Sequence, residues 1–409
     1  MLRVSPRANA LQTQLNETVL MTIWSEYFSS VPDPRRQSGL TKHLLSDILG
    51  IALCAMLCGA DDFMEFALYG RERQEFLRGV LGFSLPNGIP SHDTFTRVFA
   101  RLNPQSLEKC LWGWLSHWQD HAPNHAPNHA ADHALKHLSV DGKTARGTWE
   151  GQTNVCALTT VSVFASELRL VLATKRLAGQ GGENTLVASL LELLDLQDAL
   201  VSGDAAYCQK AVAQTIHEKK GDYLFTLKAN HRTLYTQVKA VFEASSEASS
   251  EASCERSHGR LEKREVWSHA VAQLPHGALL QEQWPGLQSV VKIRRTRRVM
   301  CPQKAVCNSQ NEWFYLSSLR ADDARLAGAM REHWKIENQA HWVLDVVLGE
   351  DKCRTRREHA PHNLALLRRI ALNLLRQNQG GNSLKATRKA VTWNPELLAQ
   401  ILHTPLALL

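Results

Sequence analysis

The spacing of apolar positions changes character near residue 137 and again near residue 322. Before the first change it is helical. Leu44–Cys58 (LLSDILGIALCAMLC) is apolar at most positions and predicts a buried helix. Phe63–Leu81 interleaves apolar with small and charged residues and predicts a second. Ser91 stands as an N-cap before an amphipathic stretch through Arg97, and Leu107–Trp118 keeps the helical spacing with Trp112, Trp114 and Trp118. Residues 1–120 are expected to form an all-helical domain, either a reader of helix-turn-helix type or a packing and dimerisation module.

From residue 137 the alternation is that of strands. Leu138–Asp141 reads as the first, Val155–Phe164 and Leu168–Lys175 as a hairpin turning near Ala165–Glu167, Ala199–Gly203 as the fourth and Asp222–Leu227 as the fifth. Helical patterns fall at Asn184–Leu194 and Gln209–Lys219. The order β-β-β-α-β-α-β is that of a ribonuclease-H-like core, in which the first and fourth strands lie side by side. No helix is expected directly after Lys228. Strand-like segments at Leu261–Ala270, Ser289–Val299 and Glu312–Leu319 predict a β-rich insertion. Helical character resumes at Asp322, persists to about Gln377, and adds one more helix in Ser383–Leu409.

Two low-complexity stretches punctuate this plan. Histidine recurs every fourth residue from His121 to His137, but Pro123 and Pro127 exclude a helix interior, so 121–136 is expected to be a linker. Glu243–Ser253 repeats Glu, Ala and Ser and is expected to be a solvated loop. The segments are thus 1–120, a linker 121–136, core 137–230, insertion 231–320, core helices 321–378 and a tail 379–409.

Composition narrows the classes. The chain of 409 residues is 44% hydrophobic and 21% charged, ordinary for a globular protein, and has ample length for a core. No apolar run reaches the ~18 residues of a membrane span, and the N-terminus shows no basic-then-apolar signal. The expectation is a cytoplasmic protein with no membrane partner. A net charge of +7 favours a polyanionic partner. Nine scattered cysteines without a CxxC pair fit a reducing compartment and argue against structural zinc; Cys54 and Cys58, one turn apart in an apolar helix, read as core.

Three acids stand out by position. Asp141 ends the first strand, Asp204 ends the fourth, and Glu337 lies in the helical stretch Arg331–Asn338. Two strand-end aspartates on adjacent strands and a helix-borne glutamate can hold divalent ions that activate a nucleophile against a phosphodiester. Any one alone reads as a turn cap or surface acid. His333, Glu337, His341 and Asp345 are spaced by four and share one helical face, with Trp334, Asn338 and Trp342 on an adjoining stripe. Glu332, Asp345, Glu350 and Asp351 compete with Glu337 for the third ligand, with Glu350 or Asp351 next in line. Basic runs flank the centre: Lys292–Arg298 with Arg294, Arg295, Arg297 and Arg298, and Lys352–Arg357 with Arg354 and Arg356. They read as phosphate contacts or as solvated faces. Trp267, Trp284, Trp313, Trp334 and Trp342 suit stacking on unpaired bases, or core packing.

With these residues in view, the chain resembles bacterial insertion-sequence transposases of the DDE type, and among them the H-repeat-associated family. The resemblance covers nearly the whole chain. It is carried by Val31–Arg35, more loosely by Ile48–Ala52, and by Gly88–Phe99, Asp141–Thr144, Gly203–Ala205 with Gln209, Asp222–Asn230, His258–Arg264 and His333–Asp345. It implies a metal triad of Asp141, Asp204 and Glu337 with two Mg2+ ions (or Mn2+ in their place), bridged mainly by Asp141. It implies cleavage at element ends followed by 3′-hydroxyl strand transfer, double-stranded DNA as partner at ends and target, a homodimer on paired ends, and nucleoid association when bound to DNA. The helical domain is expected to read terminal inverted repeats, with Lys143 and Lys228 as phosphate contacts. Many relatives carry Tyr, Arg and Lys at −7, −4 and +7 from the glutamate; here Met330, His333 and Leu344 stand there, so His333, Lys335 and His341 are the candidates for holding the DNA end. Two other readings keep part of this picture: a nuclease that cuts without joining, and a domesticated DNA-binding protein that no longer cuts.

Overall fold

The computed structural model describes residues 27–36, 41–120, 137–149, 157–177, 183–245, 251–257, 260–299 and 307–403. The expected linker 121–136 lies outside them. Two compact units emerge. The first draws on described residues of Met1–His129, Thr144–Thr159 and Ala340–Leu409, the second on those of Ala130–Lys143 and Thr160–Gln339.

The first unit opens with helices. α1 (Leu45–Leu57) is buried on almost every face, as its unbroken apolar run requires. α2 (Phe63–Glu72) is capped by Asp62, which accepts from the Glu65 N–H at 2.9 Å. The single helix expected over Phe63–Leu81 is two, because the chain turns at Arg73 before α3 (Gln74–Gly79); the Arg73 guanidinium reaches the Thr392 carbonyl at 3.2 Å, a tertiary contact that no local pattern encodes. α4 (His92–Arg101) is capped by Ser91 as expected, and α5 (Pro104–Asp120) follows.

The second unit is built on a mixed sheet. In chain order its elements are β1 (His137–Ala145), β2 (Leu158–Ala165), β3 (Leu170–Arg176), α6 (Glu183–Leu191), β4 (Leu200–Gly203), α7 (Lys210–Glu218), β5 (Asp222–Leu227), α8 (Arg232–Ala244), β6 (Glu251–Ser257), β7 (Arg260–Ala270), α9 (Gly277–Gln283), β8 (Ser289–Val299), β9 (Cys307–Ser317) and α10 (Arg325–His333). The strand order is β3-β2-β1-β4-β5-β9-β8-β7-β6. β1 and β4 pair in parallel, as do β4 and β5, while β2 and β3 form the expected hairpin. This is the ribonuclease-H-like order. The insertion is not set apart from it: β9 pairs antiparallel with β5, so the insertion strands continue the core sheet. Leu200, Leu224, Val266, Val291, Ile293 and Tyr315 of this sheet form one core with Leu326, Ala329 and Met330 of α10.

Four expectations need correction here. β1 does not end at Asp141 but runs on to Ala145. A helix does follow Lys228, namely α8, after a single 3-10 turn at Ala229–His231. Its inner face, Leu234, Val238 and Phe242, is apolar at i, i+4 and i+8, and Phe242 packs on Phe314 of β9. The run is not a loop at its described ends: Glu243 and Ala244 close α8, and Glu251–Ser253 open β6, which pairs residue by residue with β7 from Glu251↔Val266 to Ser257↔Arg260, while 246–250 lie outside the described residues. There the pairing partner, not composition, supplies the order. α9 was not anticipated.

Helical structure after α10 is also broken. A π-helical turn at Ile336–His341 leads into α11 (Trp342–Val346); Gly349, at φ 63°, ends that run, and a 3-10 turn follows at Glu350–Lys352. α12 (Ala360–Gln377), α13 (Leu384–Trp393) and α14 (Pro395–His403) complete the first unit, two helices standing where one was expected in the tail. Asn363 of α12 donates to the Phe99 and Leu102 carbonyls at 2.8 and 2.9 Å, satisfying the end of α4. Arg388 of α13 donates to the Met56 and Ala60 carbonyls at the end of α1 and pairs with Asp61 at 2.8 Å. Cys54 is buried and burial pushes the Cys58 thiol up to about 11, which agrees with a core role.

Candidate metal centre

β1 and β4 run in parallel with Val140 opposite Gly203, so Asp141 and Asp204 each lie one residue beyond that last pair, on adjacent strands. Gly142 donates its N–H back to Asp141 Oδ1 at 2.8 Å, which orients the carboxylate. A β-carbon at Gly142 would come within 2.8 Å of the Tyr207 hydroxyl, so the glycine admits Tyr207 close to the strand.

Glu337 sits in the π-helical turn and is exposed; His341, at the end of the same turn, is 3% exposed. One ligand atom from each of Asp141, Glu337 and His341 lies within 4.8 Å of the other two. The two carboxylates are oxygen donors suited to a divalent cation such as Mg2+ or Mn2+, and the imidazole beside them is a donor that favours a softer first-row ion over Mg2+. The extra residue in the turn is local strain of a kind often kept at functional sites.

Asp204 faces a different partner. His333, at the end of α10, places Nε2 3.7 Å from Asp204 Oδ1, an ionic contact longer than a full hydrogen bond. The imidazole, aided by its charge and that of Lys228, holds the Asp204 carboxyl below the usual carboxylate range against the opposite effect of burial. Behind His333 a buried chain continues: Ser202 Oγ is 3.0 Å from His333 Nδ1 and 2.7 Å from His137 Nε2. Burial pushes His137 down to about 3, so its ring is neutral at ordinary pH. Neither Ser202 nor His137 was singled out from sequence; a lone serine in the apolar run Leu200–Gly203 was the available signal. His341, expected on one helical face with Glu337 and as a candidate for holding the DNA end, stands beside Asp141 and Glu337.

The alternative third ligands have other partners. Glu350 is buried and pairs with Arg369 at 2.7 Å, and Asp351 accepts from the Arg146 N–H at 3.2 Å.

The basic residues are dispersed. Lys143 follows Asp141 on the same strand face and is 7% exposed; Lys228 is exposed. Along β8 alternate residues face opposite sides. Arg294, with Lys292, lies over Trp267 and pairs with Glu312 at 2.7 Å. Arg295 and Arg297 share the other face with Ile293, the face that α10 covers. Arg295 stacks on both Trp313 and Trp334, while Arg298 is exposed. Lys335 pairs with Glu332 at 2.6 Å; Arg354 is exposed, and Arg356 donates to the Gly147 carbonyl at 3.4 Å. Of the tryptophans, Trp284 is buried, whereas Trp334 and Trp342 are 42% and 56% exposed. No helix among the described residues is long and apolar enough to cross a membrane.

Comparison with known proteins bears on the same residues. Residues 132–374 match the model of the transposase DDE domain, and residues 25–115 match that of its associated N-terminal domain. The candidate transposase YncI of Escherichia coli O157:H7 is 34% identical, over 92% of this chain and 93% of its own. The H repeat-associated candidate transposase YhhI of Escherichia coli K12 is 31% identical, over 86% and 89%. YbfQ of the same strain, named an inactive transposase, is 38% identical over 19% of this chain and 87% of its own. The solved synaptic complex of the piggyBac transposase with hairpin DNA has a TM-score of 0.39 and 11% identity over 95% of this chain and 82% of its own, too slight a likeness to carry an argument. A match over the whole ribonuclease-H-like core, together with relatives above 30% identity along most of their length, places this chain in the DDE transposase family, whose catalytic domain uses divalent metal.

Proposed function

We propose that the chain is the DNA transposase of a bacterial insertion sequence, which hydrolyses a phosphodiester at each element end and joins the freed 3′-hydroxyl to target DNA. The observation that carries this is the convergence of Asp141, Glu337 and His341 within 4.8 Å beside Asp204 on the neighbouring strand.

In this reading Asp141 and Glu337, with His341 beside them, would hold one divalent cation, and Asp204 would help to hold a second. When bound, the ions supply Lewis acidity that lowers the pKa of water and offsets charge on the leaving oxygen. The protein's own work is positional. Gly142 N–H keeps Asp141 turned, and His333 holds the Asp204 carboxyl below its usual range. The exposed Lys228, Arg298 and Arg354 are the residues best placed to meet phosphates, with Arg297 on the face nearer α10. Lys143, Arg294, Arg295, Lys335 and Arg356 are engaged or enclosed and act on DNA only if those contacts exchange. The helical first domain reads the terminal inverted repeats, two copies pair two ends, and the protein works in the cytoplasm at the nucleoid.

The test is Mg2+-dependent cleavage and strand transfer on DNA carrying the flanking repeats, wild type against Glu337→Gln. Joined products that vanish in the variant while end binding persists support the transposase. Cut but unjoined product in the wild type favours a nuclease, and specific binding without cutting favours a DNA-binding protein that has lost its chemistry.

A further inference from the structure

A row of polar side chains, His137–Ser202–His333, touches Asp204 at one end and otherwise lies inside the second unit. Ser202 is 2% exposed and His137 4%, so these polar groups sit where only a hydrogen-bonding role offsets their desolvation. Ser202 has one proton to give. Leu138 O and Ser139 Oγ are distant acceptors at 3.4 and 3.5 Å; His333 Nδ1 and His137 Nε2 are near at 3.0 and 2.7 Å. If the proton went to His137, a neutral His333 would carry its own proton on Nδ1 and would aim the bare Nε2 lone pair at the Asp204 carboxylate. Electrostatics disfavours that arrangement. If the proton goes to His333 Nδ1, Nε2–H faces Asp204, and His137 supplies Nε2–H to Ser202 Oγ. Every donor then meets an acceptor. His137 can supply that proton, being held neutral by burial.

We propose that Ser202 is a positioning residue: its hydrogen bond at Nδ1 holds the His333 ring so that Nε2–H faces Asp204, and thereby orients the Asp204 carboxylate toward the cation site. The proposal rests on Asp204 being a metal ligand. It extends to this chain the general rule that a ligand's orientation is set by the groups behind it.

The experiment uses the full chain without DNA. Mn2+ affinity is measured by electron paramagnetic resonance for the wild type, Ser202→Ala, Ser202→Thr, and the controls Asp141→Asn and Asp204→Asn. The His333 ring nitrogens are followed by 15N NMR, assigned by their loss in His333→Gln. Ser202→Ala is expected to weaken Mn2+ binding at least about 10-fold and to move the His333 signals away from the Nε2–H pattern. Ser202→Thr, which keeps the hydroxyl, restores both. If Ser202→Ala does not fold, Ser202→Cys takes its place, with the same weakening expected of its poorer hydrogen bond. Wild-type affinity and an unchanged His333 tautomer in Ser202→Ala (or Ser202→Cys), alongside weak binding by the controls, overturn the role of Ser202 alone. Ser202→Thr binding as weakly as Ser202→Ala overturns it too, because packing and not the hydroxyl then matters. Controls that bind Mn2+ like wild type overturn the cation-site reading, and this inference falls with it.

Discussion

Arg295 of β8 stacks its guanidinium on Trp334, 5.0 Å from the ring centroid, three residues before Glu337. The same group lies 5.1 Å from the Trp313 ring, and the two tryptophans meet edge to face. A strand of the insertion is thus fastened to the segment that carries Glu337. Arg295→Ala should lower stability by about 1–2 kcal/mol and reduce cleavage further than stability alone explains, since the Glu337 turn loses a support. Arg298→Ala, on an exposed neighbour, should leave the urea midpoint unchanged. Equal midpoints for the two variants would show that the stack contributes nothing.

His137 makes stability fall with acid. Its folded-state value, about 3, lies below the ordinary 6.5, so the unfolded chain binds the proton first. The contribution is fully present above pH 6.5 and declines by about 1.4 kcal/mol per pH unit between 6.5 and 3. Urea unfolding at pH 7 and pH 5 should show a loss of about 2 kcal/mol in the wild type that is absent from His137→Gln. The same pH dependence in both proteins would refute the assignment.

Glu350 and Arg369 form a buried pair, both side chains at 2% exposure or less. Glu350→Gln removes the carboxylate charge that faces Arg369 in the core and should cost about 3–5 kcal/mol. Thermal melts read this directly. A variant as stable as wild type but unable to bind Mn2+ would return Glu350 to the list of metal ligands.

Two glycines should respond in opposite directions to alanine. A β-carbon at Gly147 would lie 2.5 Å from the Cys353 carbonyl oxygen and 2.6 Å from that of Asp351, backbone atoms that cannot swing aside. Gly147→Ala should destabilise by at least about 1–3 kcal/mol. Gly328, inside α10, has nothing within 4 Å of its added carbon, so Gly328→Ala should stabilise by about 0.5–1 kcal/mol. Denaturant midpoints of both variants decide the matter.

Sequence by itself determined the alternation that builds the ribonuclease-H-like core, the parallel neighbours carrying Asp141 and Asp204, the buried α1 and the Ser91 cap, because each follows from local periodicity or from one side chain meeting its own backbone. It also put Glu337 and His341 four residues apart. Tertiary structure decided the rest. Whether Glu251–Ser257 is loop or strand depends on β7 lying beside it. Whether Arg294 or Arg297 faces α10 depends on which side of β8 that helix covers. The break at Arg73 and the partnership of Ser202 with two histidines join residues far apart in the chain, and a pattern read within a few turns does not contain them. The π-helical turn that sets His341 beside Asp141 is of the same kind: one residue more per turn is a small local cost that only the surrounding packing can impose.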